Sequence, residues 1–265
     1  MPRVLTYHDV VEADFDTSGF PGGGPAHYKL PKDEFTRHLG AIAATSVSPI
    51  LLPEFRASDA NETEALLITF DDGGVSAADV IADALEQQGW RGHFFIVTDY
   101  IGRHGFMTAA QVRDLAHRGH IIGTHSCSHP ARMSACPPQK LLDEWQRSRE
   151  ILSDILETPV TAGSVPGGYY SHNVAVAAAA SGLTDLFTSE PSTHVTTVNG
   201  LHVYGRFSVH RHTPISRVAA IASGRRFALL REAVVWNLKK VLKVTGGRTY
   251  LKLRKLILNN HHRCL

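Results

Sequence analysis

The sequence predicts an α/β fold built on parallel strands, closed as a barrel or opened as a doubly wound sheet. Short β-branched or aromatic runs alternate with longer segments of helical apolar spacing along the first 215 residues. The strand-like runs are apolar on both faces, as in sheets covered by helices. A chain of 265 residues with 43% hydrophobic and 20% charged residues is long and apolar enough for one large core.

The elements follow in order. Arg3–Tyr7, Leu66–Phe70, His93–Val97, Ile121–Thr124, Leu186–Ser189 and Val203–Phe207 read as strands bounded by polar turns. Between them Lys32–Ala44, Ser76–Gln88, Ala109–Arg118, Gln139–Glu157 and Asn173–Ser181 have helical periodicity, with Thr108 and Pro138 near two of their starts. Repetition of strand, helix, strand implies right-handed crossovers. No Gly-x-Gly-x-x-Gly follows the early strands, which removes the fingerprint of dinucleotide binding. The glycine-rich insert Ser18–Pro25 comes soon after the first strand, near the strand ends where a barrel builds its site, and reads as a substrate-facing lid or a plain surface loop.

Two clusters carry chemistry. Ile68-Thr69-Phe70-Asp71-Asp72-Gly73-Gly74 puts two acids at the end of an apolar strand. Adjacent carboxylates repel unless a cation or a shared proton relieves them, so the pair fits one metal ligand beside one base; alone it is also an ordinary turn. His125-Ser126-Cys127-Ser128-His129-Pro130 follows the strand Ile121–Thr124, and two imidazoles four residues apart around a turn converge readily on one divalent ion. With Asp72 they form a two-histidine, one-carboxylate set that leaves coordination positions open. Cys127, midway between the histidines, is a soft ligand for zinc on one reading and, more simply, a spacer whose side chain points elsewhere.

Thr69-Phe70-Asp71-Asp72-Gly73 followed by His125-Ser126-Cys127-Ser128-His129-Pro130 resembles the first two motifs of the polysaccharide deacetylases, the NodB-homology or carbohydrate esterase family 4 domain. The resemblance spans about Arg3 to Pro214. It implies a distorted (β/α) barrel that removes acetyl groups from sugars with a divalent metal, expected to be Zn2+. By position Asp71 becomes the general base, and Asp72, His125 and His129 hold the metal. Tyr7-His8 resembles the Tyr-His that opens many deacetylases of exopolysaccharide clusters, which places His8 at the site border or in the core. The third motif departs from the pattern. Gly163-Ser164-Val165-Pro166-Gly167-Gly168-Tyr169-Tyr170 has Ser164 where an arginine is expected, while Pro166, Gly167, Gly168 and Tyr169 remain to shape a loop whose N–H groups face an oxyanion. The last motif, Gly205-Arg206-Phe207-Ser208-Val209-His210-Arg211-His212, offers His210 as general acid, His212 beside it by strand alternation, and Arg206 in place of the missing arginine.

The implied activity is deacetylation of an N-acetylated glycan or lipid-linked sugar in exopolysaccharide synthesis. The alternatives are hydrolysis of another C–N bond, such as a cyclic amide, and a catalytically silent carbohydrate-binding relative. Residues 1–224 are read as the barrel and 225–265 as a basic helical extension. The extension holds eleven Lys or Arg against one acid, Glu232, so it carries +10 and the rest −8. Phe227, Leu230, Val234, Leu238 and Val241 recur at helical spacing, Gly246-Gly247 interrupts, and Tyr250–Leu258 starts another helix. Such an arm packs on the barrel or docks on an anionic membrane; no nucleic-acid reader motif accompanies it. Arg3, His8 and Asp9 interrupt any apolar leader, and the three cysteines are too few for a disulfide framework, so a cytoplasmic protein at the inner face of the membrane is expected.

Overall fold

The computed structural model describes residues 1–12, 14–58 and 64–238. Strands β1 (Pro2–Tyr7), β2 (Val10–Val11), β3 (Leu30–Pro31), β4 (Ala65–Phe70), β5 (His93–Ile96), β6 (Ile121–Thr124), β7 (Ala162–Ser164), β8 (Asp185–Phe187), β9 (Thr196–Val198), β10 (Leu201–Tyr204) and β11 (Phe207–Ser208) run through the chain. Nine of them form one curled sheet, ordered β11-β1-β4-β5-β6-β7-β8-β10-β9, in which only β9 runs antiparallel to its neighbour; β2 and β3 pair apart. Its two edges, β11 and β9, do not pair with each other, so the barrel is an open, distorted one.

Helices α1 (Gly23–Ala26), α2 (Lys32–Ala43), α3 (Leu52–Ala57), α4 (Ala82–Gln87), α5 (Ala109–His117), α6 (Pro138–Leu156), α7 (His172–Ala180) and α8 (Ile215–Ala222) accompany the strands. Thr108 caps α5 by accepting the Gln111 N–H, and Pro138 occupies the first turn of α6. The helix expected over Ser76–Gln88 is divided into a π-helical turn at Ala77–Ile81 and α4, a local widening next to the Asp71-Asp72 turn. The run Val203–Phe207 is likewise broken. Gly205 passes so close to Glu190 that a Cβ would lie 2.4 Å from its carbonyl oxygen, and Arg206 leaves the ladder to point inward. The residues from 239 onward, including Val241 and the helix expected over Tyr250–Leu258, lie outside the described residues. Among the described residues no helix is long and apolar enough to cross a membrane.

Strand alternation sorts the side chains. On β4, Leu66, Ile68 and Phe70 face the outer layer, where they join Leu39, Ile81, Leu115 and Val218 from the helices. Leu67 faces inward with Val4, Phe95, Phe187 and Tyr204. The same inner side continues through Thr69 to Asp71, so the interior turns polar at the C-terminal end of the sheet.

A neutral histidine ties α3, whose Leu52 and Phe55 join the inward cluster, to the sheet. His93, fully buried on β5, donates from Nδ1 to the Ile68 carbonyl (3.0 Å) and accepts at Nε2 from the Leu52 N–H (2.9 Å) at the start of α3. Burial lowers its pKa to about 4. Because the folded pKa is depressed, the unfolded chain takes up the proton first as pH falls, and stability is lost between about 6.5 and 4. Unfolding free energy should therefore fall by about 3 kcal/mol more in wild type than in His93→Gln across this window, as read by denaturant titration at each pH. Parallel pH profiles would show that folding leaves the pKa of His93 unshifted.

Candidate active site

The site forms where β4, β6, β7 and β10 end. The first backbone bonds beyond the strands fix it: the Asp71 N–H donates to Tyr7 O (3.0 Å) and the His125 N–H to Ile96 O (2.8 Å). Asp72, Ser126 and His129 all have positive φ (78°, 65° and 52°), conformations that non-glycine residues avoid.

Arg206 is the interior anchor. It is wholly buried and grips Asp71 with two parallel bonds, Nη1 to Oδ1 and Nη2 to Oδ2, each 2.7 Å. Its remaining N–H groups donate to Thr188 O (2.9 Å), Thr69 Oγ1 (3.2 Å) and Ser164 Oγ (2.7 Å). Ser164, the departure from the motif, thus receives the guanidinium that arrives from β10. Burial works to raise the Asp71 carboxyl, but Arg206, aided by His125, outweighs it and holds the group below the usual range. Asp72 next to it is pushed well above that range, by burial first and then by the charges of Asp71 and Asp9.

Asp72 Oδ1 lies 3.5 Å from His125 Nε2 and 3.6 Å from His129 Nε2, and one ligand atom from each of the three residues falls within 4.8 Å of the others. His125 donates from Nδ1 to Ser164 O (2.9 Å), which leaves the Nε2 lone pair directed at this space. Burial lowers the pKa of His125 to about 3 and lowers that of His129 too, so both rings are neutral acceptors. Three acceptors facing one another repel unless a cation lies between them. Tetrahedral zinc with bonds of about 2.1 Å spaces its ligand atoms by about 3.4 Å, close to the two separations seen. These residues fit a divalent ion.

Glu144 holds the histidine turn from below. It comes from the inner face of α6 and accepts the Cys127 N–H (3.0 Å), the Ser128 N–H (2.8 Å) and the Ser128 hydroxyl (2.6 Å). Cys127 is buried, its sulfur accepting from Thr98 Oγ1 (3.4 Å), which agrees with a spacer. The glycine-rich insert also reaches the site. Asp9 Oδ1 accepts from Ser18 (2.6 Å) and Ser76 (2.9 Å), and the Phe20 ring lies 4.9 Å from that of His129. A Cβ on Gly74 would fall 1.9 Å from the same Asp9 oxygen, so only glycine fits there.

The remaining predicted residues divide. Gly167 and Gly168 have φ of 61° and 68°, and the N–H groups of Gly168 and Tyr169 donate back to Val165 O (3.5 Å) and Pro166 O (3.4 Å). His8 interacts electrostatically with Asp71, Arg206 and His129, and burial lowers its pKa to about 4. Its ring meets Tyr28 (4.7 Å), which in turn meets His210 (4.9 Å); His210 also stacks on His27 (4.8 Å). His210 therefore stands behind Tyr28. His212 is exposed, turned by its φ of 67° so that its N–H donates to Glu34 (2.8 Å), away from the face that strand alternation would give it. Sequence reasoning did not find Asp9, Phe20, Tyr28 or Glu144; a lone acid on the apolar Leu141, Trp145, Leu152 face of α6 is the signal that marks Glu144.

Arg206→Gln should destabilise the fold by about 3–5 kcal/mol in denaturant unfolding, since it strands a buried carboxylate. In an Asp71→Asn background the same change should cost at least about 2 kcal/mol less. Equal costs in the two backgrounds would mean that Arg206 acts through packing alone.

Comparison with known proteins agrees with this fold. The chain is 24% identical over 214 residues to YxkH of Bacillus subtilis (strain 168), named as a polysaccharide deacetylase, covering 78% of this chain and 71% of that protein. The fold is similar to that of the Streptococcus pyogenes deacetylase PplD in complex with acetate (TM-score 0.67, 19% identity, 81% of this chain and 94% of that one). It is also similar to IcaB from Ammonifex degensii (TM-score 0.67, 20% identity, 84% and 97%). Residues 58–186, which carry both the paired aspartates and the paired histidines, match the family model described as Polysaccharide deacetylase, so the likeness to that family covers the site as well as the fold.

Proposed function

We propose that the protein is a divalent-metal-dependent hydrolase that removes acetyl groups from N-acetylated sugars of an exopolysaccharide or a lipid-linked precursor. The observation that supports this most directly is the split between adjacent buried carboxylates, Asp71 held ionised by Arg206 and Asp72 facing two neutral imidazoles. When bound to Asp72, His125 and His129, a divalent ion such as Zn2+ would supply an acidic water and a polarised acetyl carbonyl. Asp71 accepts the proton of the attacking water, its two oxygens oriented by Arg206. The Pro166–Tyr169 loop, where the Gly168 N–H makes a long bond of 3.5 Å to Val165 O, is suited to receive the developing oxyanion. The proton for the departing amine is assigned to His210, at the outer end of the His8–Tyr28–His210 row, because His8, its pKa lowered to about 4 by burial, is neutral near pH 7 and borders the site as an acceptor.

Arg206 favours this reading over a catalytically silent relative, because it restores to Asp71 the charge that Ser164 lacks. A cytoplasmic location at the inner membrane face, with the basic residues 225–265 toward anionic lipid, completes the reading.

Purified protein should retain close to one equivalent of zinc or another divalent ion, and His129→Ala should weaken metal binding at least about tenfold by metal titration. Asp71→Asn should keep the metal yet lower kcat for acetate release from chitooligosaccharides about a hundredfold or more. Loss of metal in Asp71→Asn and its retention in Asp72→Asn would reverse the two roles. For the proton donor, His210→Gln should cost at least about a hundredfold in kcat and His8→Gln clearly less. The opposite order would make His8 the acid.

A further inference from the structure

The helix over residues 226–238 is apolar on two opposite sides. Its inner side is seated on the barrel: Ala228 and Leu229 pack against the main core, and Glu232 pairs with Arg217 of α8. Trp236, further along that side, reaches the Pro166–Tyr169 loop, where a Cβ built on Gly168 would lie 3.8 Å from the indole Cη2. The outer side presents Phe227, Leu230, Val234 and Leu238, which are 80%, 63%, 56% and 59% exposed. At 3.6 residues per turn these four fall within an arc of about 80°, half a turn away from Trp236. A surface helix ordinarily turns its polar face outward, and a contiguous exposed apolar line marks an interaction surface.

Charge selects the occupant. The helix carries Arg225 at its entry, then Arg226 and Arg231, and residues 239–265 add eight Lys or Arg and no acid. A second copy would bring like charge against like. Nucleic acid would answer the charge but leave Phe227, Leu230, Val234 and Leu238 in water. An anionic bilayer takes both, since apolar side chains enter the boundary between headgroups and acyl chains while the bases meet the phosphates. Building on the glycan deacetylase reading, we propose that residues 226–238 form an interfacial anchor that lays this apolar line into an anionic membrane surface and, through Trp236 on its inner side, holds the substrate loop beside that surface.

Sedimentation of the full-length protein with phosphatidylcholine vesicles, with and without phosphatidylglycerol, tests the anchor. Binding should require phosphatidylglycerol and fade as salt rises. A Leu230→Glu, Leu238→Glu double variant should bind at least about tenfold more weakly, while releasing acetate from soluble chitooligosaccharides as wild type does and melting at the same temperature. Phe227→Glu should behave in the same way. Equal binding to both vesicle types, or unchanged binding of the variants, would overturn the anchor. So would a wild-type dimer that the double variant dissociates, or displacement of wild type from vesicles only by nucleic acid. Absence of acetate release in metal-loaded wild type, with lipid binding as expected, would remove the deacetylase reading and leave the anchor standing.

Discussion

The fold depends on a guanidinium buried inside its sheet. Burying an ion pair costs several kcal/mol per ion and is tolerated only when the geometry is good and the other polar atoms are satisfied. Arg206 meets both conditions, with all five N–H groups engaged by Asp71, Thr69, Ser164 and Thr188. Those partners belong to the ends of β4, β7 and β8, while Arg206 itself follows β10. One side chain thus sets the relative heights of four strand ends, and with them the positions of Asp71 and of Ser164 O, the carbonyl that orients His125.

Around this anchor the backbone is strained where the reactive groups sit. Of the six non-glycine residues with positive φ among the described residues, Asp72, Ser126 and His129 belong to the two turns that would hold the metal. Each such residue costs on the order of 1–3 kcal/mol, so the surroundings must over-determine the conformation. Glu144 does this for the histidine turn by taking two backbone N–H groups and a hydroxyl. Asp9 does it for the aspartate turn, bonded to Ser76 and pressed against Gly74, and the same carboxylate fastens Ser18 of the glycine-rich insert. The insert is therefore part of the site wall, with Phe20 against His129.

Most of the sheet was legible because periodicity is a local property. Ile121–Thr124 is matched to the residue, and β1, β4 and β5 to within one residue at either end. β7 was missed, since Ala162-Gly163-Ser164 is too short and small to show a pattern; its place is set by pairing with β6 and β8. The paired acids and histidines were legible because they sit at strand ends, where direction alone decides which side chains converge. His212 was not, because alternation holds only while the strand continues, and β11 ends at Ser208. Asp9, Tyr28 and Glu144 act through neighbours distant in sequence, which spacing does not encode.

Charge counting in the interior explains why such a site calls for a cation. Asp71 is balanced by Arg206. Asp9, raised by burial, has the buried Lys29 as its nearest compensating charge, and Lys29 also donates to Phe15 O. His125 and His129 stay neutral, because burial outweighs the pull of Asp71. Asp72 is then the member without a cation of its own, and its two nearest histidine nitrogens at 3.5 and 3.6 Å are both acceptors. Left alone it must take up a proton, which is the direction in which burial, Asp71 and Asp9 drive it. A divalent ion removes that need and satisfies both lone pairs in one step. The arrangement that is costly without a cation would in this way be the source of affinity for one, and it suits a small, strongly polarising ion better than a second lysine or arginine, whose N–H donors would place charge farther from all three atoms at once.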